Sequence, residues 1–180
     1  AGGFMSAPVH ASVSGTVVDI QPCILANGGQ SMAIIIDNDY KDEWVELTLN
    51  DHPESLSAAE LQQIVRDAGI VGMGGATFPT SVKLSPPKGK TIEMFVINGA
   101  ECEPYLTADH RLMVEHADRI IDGIRLMMKA LDVKKAIIGI ENNKPDAVSA
   151  MTAAAASAEG IEVRALPVRY PQGGEKQLIY

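Results

Sequence analysis

The stretch Gly69-Ile-Val-Gly-Met-Gly-Gly-Ala-Thr-Phe-Pro-Thr-Ser-Val-Lys83 decides how the chain reads. Gly69, Gly72, Gly74 and Gly75 lack the Cβ atoms that keep a backbone from lying flat along a phosphate, a sugar or an aromatic ring. Pro79 stiffens the exit, and Lys83 offers one positive charge to an anion. The spacing is not the dinucleotide fingerprint. Gly72-x-Gly74-Gly75 lacks the third glycine of G-x-G-x-x-G and follows a predicted helix rather than a strand. No Gly-Lys-Ser/Thr falls within the stretch, so it is not a Walker loop. By itself it reads equally as a bland glycine-rich turn.

Upstream, Ser57-Ala-Ala-Glu60 is a capping box opening a helix whose Leu61, Ile64, Val65 and Ala68 share a face, with Gly69 as its stop. Asn50-Asp-His-Pro-Glu54 reads as a linker. From Pro8 to Leu49 β-branched residues dominate, and Val13–Ile20, Met32–Asp37 and Trp44–Leu49 are predicted strands, the first two joined at Asn27-Gly28-Gly29. The expected division is a β-rich module over 1–50 and an α/β domain over 51–180.

Downstream, Pro86-Pro-Lys-Gly89 is a turn and Ile92–Ile97 a strand. The next segment, Asn98-Gly-Ala-Glu-Cys-Glu-Pro-Tyr105, places Glu101 and Glu103 just past the carboxyl end of that strand, where open α/β sheets hold ligands. Residues 108–131 read as helix broken near His116, with Ile120, Ile121, Ile124, Met127, Met128 and Leu131 as a core stripe. Methionines at this spacing are packing residues, and His110 and His116 do not share a helix face as metal ligands do. Lys135–Ile140, a helix from Pro145 to about Ala158, and Ile161–Leu166 complete a strand and helix alternation that implies a parallel, doubly wound sheet. Tyr170-Pro-Gln-Gly-Gly-Glu-Lys-Gln-Leu-Ile-Tyr180 again sets a glycine pair and a carboxylate beyond a strand. It then opens one helical turn whose Leu178, Ile179 and Tyr180 have nothing left to pack with. The expectation is a fragment whose natural chain continues.

Composition narrows the function. With 180 residues and 46% apolar content the chain has material for a real core. A net charge of -8 argues against a nucleic-acid partner, whose phosphates need clustered Lys and Arg. Cys23 and Cys102 form neither a disulfide framework nor an all-cysteine metal site, which fits a reducing, cytoplasmic-side setting. The run Ala33-Ile-Ile-Ile36 is far short of the roughly 20 apolar residues of a membrane span, so membrane association is expected to be peripheral.

Two resemblances follow from these segments. Ser14-Gly-Thr-Val-Val-Asp-Ile20 with Gly28-Gly-Gln30 resembles the barrel-sandwich domains of the biotinyl and lipoyl carriers. No lysine precedes Lys41, so a scaffold role is expected rather than a swinging arm. The segments 72–83, 98–111 and 170–178, in this order, resemble the FMN- and NADH-binding flavoprotein subunit of respiratory complex I. They resemble the C subunit of the Rnf electron transport family more closely still, over nearly the whole chain.

That resemblance implies a fold, a chemistry and a set of residues. The fold is a small β barrel-sandwich module followed by a Rossmann-like parallel α/β domain that binds flavin and dinucleotide and is truncated at its C-terminus. Gly72, Gly74 and Gly75 would lie against FMN, Lys83 would hold its phosphate or a hydroxyl, and Phe78 would stack the nicotinamide dinucleotide of NADH. Asn98 and Glu101 would hydrogen-bond the ribityl chain and ring edge, while Glu103 and Glu175, with Gly174 beside it, would contact the nucleotide. No side chain is implied as acid or base. The resemblance further implies an ion-translocating oxidoreductase complex on the cytoplasmic face of the inner membrane. It implies partner subunits, a ferredoxin-like electron partner, and 4Fe-4S clusters beyond Tyr180. Met73, Ala100 and Lys176 stand where complex I has an arginine and two acids, so fewer acids surround the site. The rival reading is a docking module whose glycine loops bind no flavin.

Overall fold

The computed structural model describes residues 3–47, 49–74, 76–87 and 89–180, which form two compact units. One runs from Pro8 to Asp51. The other runs from His52 to Tyr180 and includes Gly3 to Ala7.

The first unit is built on an antiparallel hairpin of β1 (Gly15–Ile24) and β2 (Gln30–Asn38), paired from Gly15 opposite Asn38 to Ile24 opposite Gln30. The turn works because Gly28 takes φ +80 and the Gly29 amide donates to Asn27 Oδ1 at 2.9 Å. The predicted strand Trp44–Leu49 is not formed among the described residues. Tyr40 and Asp42 adopt left-handed backbone, φ 58 and 52, which turns the chain away directly after β2. Ile20, Ile24, Met32 and Ile34 of the hairpin are all more than half exposed.

The second unit opens with α1 (Ala58–Asp67), where the predicted capping box is present: Ser57 Oγ accepts from the Glu60 amide and Glu60 Oε2 from the Ser57 amide. Such a cap contributes about 0.5–2 kcal/mol. Gly69, at φ +66, ends the helix as a left-handed cap. After the glycine loop comes the one-turn helix α2 (Thr80–Lys83). Then β3 (Phe95–Gly99), α3 (Ala108–Glu115), α4 (Ala117–Leu131), β4 (Ala136–Glu141), α5 (Pro145–Ala155) and β5 (Ile161–Leu166) alternate as the sequence predicts, and α6 (Glu175–Ile179) follows. The break between α3 and α4 falls at His116, whose φ of -135 leaves the helical region.

The sheet is parallel in the order β3-β4-β5, with Ile97 beside Ile138 and Ile138 beside Val163. The doubly wound arrangement expected from the alternation is absent from the described strands. Strand order does not reverse, so right-handed crossovers carry α3, α4 and α5 to one face, where α5 packs on both others. Ile138 and Ile140 of the central strand meet Ile121, Ile124, Met128 and Met151 there, all but fully buried. Each such side chain contributes about 1.5–3 kcal/mol. On the other face Gly139 leaves a notch filled by Leu166 and Leu178. Leu178 therefore does find packing, contrary to the sequence expectation, while Ile179 and Tyr180 remain exposed. A second cluster, Leu61, Leu84 and Ala130, joins α1 to α4.

Candidate functional site

The glycine loop closes on itself as a small hairpin. The Gly72 amide donates to the Phe78 carbonyl at 2.8 Å, and the Thr80 amide to the Ile70 carbonyl at 2.9 Å, which brings Val71 opposite Pro79. Its base is fixed from below, because Gln62 Nε2 donates both to the Leu84 carbonyl at 2.7 Å and to the Ala130 carbonyl at 3.2 Å. Phe78 and Lys83 come together here, with the ammonium 6.0 Å from the ring centroid, the outer limit of a cation–π contact. Among the described residues, a Cβ on Gly74 would meet nothing within 4 Å, and one on Gly72 only the tip of Lys83 closely. Neither glycine has left-handed φ. Gly75 lies outside the described residues.

A second group gathers at the carboxyl ends of the strands. Asn98, at the end of β3, donates from Nδ2 to the Gly173 carbonyl at 2.7 Å and accepts the Ala100 amide on Oδ1. Glu101 is buried, and its carboxylate accepts the Asp109 and His110 amides at 2.9 and 3.2 Å. These are unsatisfied donors of the first turn of α3, so the charge is held by N–H groups and the helix dipole. The expected contact between Glu101 and a flavin ring edge therefore competes with a structural use of both oxygens. Glu103 and Glu175 are exposed, Gly174 caps α6, and the Gly174 amide donates to the Pro171 carbonyl.

Beneath this group lies a buried ion pair that sequence reasoning missed. Lys144 Nζ donates to Glu141 Oε2 at 2.8 Å, to the Glu101 carbonyl at 3.1 Å and to Asn143 Oδ1 at 3.3 Å. Both charges are almost sealed from solvent, Glu141 at 1% exposure. The signal was available as an acid at the end of an apolar strand with a lysine three residues on. Glu141 Oε1 and Gln172 Oε1 are buried with no hydrogen-bond partner among the described residues. Nearby, partial burial first, and then the Glu101 and Glu103 carboxylates, push the Asp109 carboxyl above its usual range against the pull of Lys144. His110 Nε2 meets Asp146 Oδ1 at 2.8 Å, tying α3 to α5, and this contact holds the Asp146 carboxyl below its usual range. The described residues contain no group of His, Cys, Asp and Glu placed to hold a metal.

Glycine and carboxylate loops at the strand ends of a parallel α/β unit lie where open sheets of this class hold ligands. Residues 65–180 match the Nuo51 FMN-binding domain, and residues 1–41 match the RnfC barrel sandwich hybrid domain. The chain belongs to the Nuo51 FMN-binding family, in its RnfC branch. It is 51% identical over 177 residues to the C subunit of the proton-translocating ferredoxin:NAD(+) oxidoreductase complex of Clostridium ljungdahlii, covering 98% of this chain and 38% of that one. It is 46% identical to the C subunit of the Na(+)-translocating complex of Acetobacterium woodii, covering 98% and 40%. Among solved structures, a NAD+-reducing NiFe hydrogenase in its H2-reduced state superposes with a TM-score of 0.62 at 27% identity, over 72% of this chain and 24% of that one. The chain thus spans about two fifths or less of the relatives it matches. No helix among the described residues is long and apolar enough to cross a membrane.

Proposed function

We propose that this chain is the flavin and dinucleotide end of an ion-translocating oxidoreductase, binding FMN at the 72–83 loop and NAD(H) against it. The observation that carries the reading is that, among the described residues, nothing stands over Gly74 and only the flexible tip of Lys83 stands close over Gly72. Neither a rigid neighbour among the described residues nor a left-handed backbone accounts for their missing side chains. A flat ligand does, because only a bare backbone lets a ring or sugar lie against it. The residues present therefore fit the group.

In this reading Lys83 meets the phosphate or a hydroxyl of FMN, and Phe78, 37% exposed beside it, offers its face to the nicotinamide. Gly75, outside the described residues, is assigned to the same flavin loop by its place in the sequence alone. Glu103, Glu175 and Gly174 bound the nucleotide from the strand ends, where carboxylates accept ribose hydroxyls and an amide N–H without gripping phosphate. Asn98 and Glu101 serve chiefly by holding these loops. FMN, when bound, supplies the exchange between a hydride pair and single electrons. The acids around Asp109 disfavour further negative charge at the site and so favour passing electrons onward. The acceptors are 4Fe-4S centres in the longer protein, in a peripheral position on the cytoplasmic face, with membrane subunits and a ferredoxin-like protein as partners. The module over 1–50 acts as scaffold, and the domain over 51–180 carries the site.

Titration with FMN, read by flavin fluorescence and absorbance, tests this in the chain and in a longer protein extending past Tyr180. Saturable binding that Gly74→Leu abolishes without lowering Tm, with bleaching on adding NADH, is the expected result. No binding by either wild-type protein would sink the flavin reading in favour of a docking module.

A further inference from the structure

We infer that Gly173, to which the family resemblance assigns no role, is the positioning residue that clamps the two strand-end loops into one site; its functional half rests on the flavin and dinucleotide reading above. Three residues spaced by two along 98–102 hold it at once. Asn98 Nδ2 donates to its carbonyl at 2.7 Å, and its amide donates to Cys102 Sγ at 3.2 Å. The Ala100 carbonyl oxygen stands 2.7 Å from where a Cβ would be, with Cys102 Sγ at 2.9 Å.

The adjacent glycine shows that the constraint is specific. A Cβ on Gly174 would meet only the flexible end of Gln177 below 3 Å, and that side chain can swing aside. At Gly173 the obstacle is backbone, which yields only if a loop moves. Glu103 directly follows Cys102, and Glu175 lies two residues past Gly173, so the clamp sets the separation of the two exposed carboxylates. Lys144, donating to the Glu101 carbonyl, holds the 98–103 loop from beneath while that loop holds Gly173 from its side. The pair of acceptors offered to a nucleotide is thus spaced by contacts 71 and 75 residues apart in sequence.

The clamp is tested without any ligand. In a Cys23→Ser background Cys102 is the one remaining thiol, and its alkylation rate by iodoacetamide reports opening of the 98–102 and 173 contact. Loss of one or two hydrogen bonds in Asn98→Ala or Gly173→Ala is expected to raise that rate about tenfold, with far-UV circular dichroism unchanged. Unchanged rates in folded variants overturn the clamp. If Gly173→Ala does not fold, Asn98→Ala, which trims an exposed side chain, decides between these outcomes.

The positioning role is read separately in FMN-loaded protein. Cys102→Ala removes the acceptor for the Gly173 amide and is expected to raise the KM for NADH with kcat and FMN occupancy unchanged. Cys102→Ser, which keeps an acceptor, is expected to restore it. Equal KM values in wild type, Ala and Ser variants overturn the positioning role. A wild type that binds no FMN counts against the flavin reading alone and leaves the alkylation rates to decide the clamp.

Discussion

Two glycine loops of the molecule are bare for opposite reasons. At Gly173 the protein itself fills the place of a side chain, with Ala100 and Cys102 packed against Cα. At Gly72 and Gly74 the described residues leave that place open apart from the tip of Lys83. A glycine required by its own fold and a glycine required by an incoming molecule look identical in sequence. Only the surrounding atoms separate them.

The largest expected effect tests whether the Gly173 side is built from within. Lys144→Met leaves Glu141 sealed and without its cation, and is expected to cost about 3–5 kcal/mol in urea unfolding. A loss below 1 kcal/mol, a bound we set at roughly the worth of an exposed pair, would show that water reaches the pair and that the strand-end loops lack an internal support. Next in size, Gly173→Ala forces a Cβ against backbone and is expected to destabilise by about 1–3 kcal/mol.

Gly72→Ala and Gly74→Ala sharpen the contrast, with an expected stability change under about 0.5 kcal/mol. FMN binding should weaken about tenfold in each, or ~1.4 kcal/mol. If these two alanines cost more in unfolding than Gly173→Ala, the contrast is wrong.

The smallest effect concerns charge. Asp109 holds its proton more tightly folded than unfolded, so stability falls as pH rises from the ordinary aspartate value through the raised one, and stays lower above it. Asp109→Asn is therefore expected to gain roughly 0.3 kcal/mol at neutral pH after solvent screening, and nothing in acid below the ordinary value. A net loss at neutral pH would mean that the favourable place of an acid in the first turn of α3 outweighs its repulsion by Glu101 and Glu103.

What the sequence could reveal divides along the same line between local and distant causes. The helices and strands of the second unit were legible because apolar spacing and capping residues act within a few positions, as Ser57 and Glu60 do on α1. The failed strand at Trp44–Leu49 had suitable β-branched and aromatic residues. The left-handed turn at Tyr40 and Asp42 that diverts it carries no glycine to announce it. The one-sided winding was illegible because strand order is a matter of which edge each crossover joins, and no periodicity records that. In the candidate site, residue types and their place past the strands could be read. The partners could not: Glu101 serves amides eight and nine residues away, and Asn98 a carbonyl 75 residues away.

The Gln62 fork beneath the glycine loop bears on affinity. One amide nitrogen shared between the Leu84 and Ala130 carbonyls removes the freedom of the loop's exit when the chain folds, not when a ligand arrives. Binding then has less disorder to overcome, so this preorganised base favours tight association even though Gln62 lies on α1, beneath the loop rather than at its glycines. An affinity map of this domain would accordingly extend one layer deeper than its contact surface.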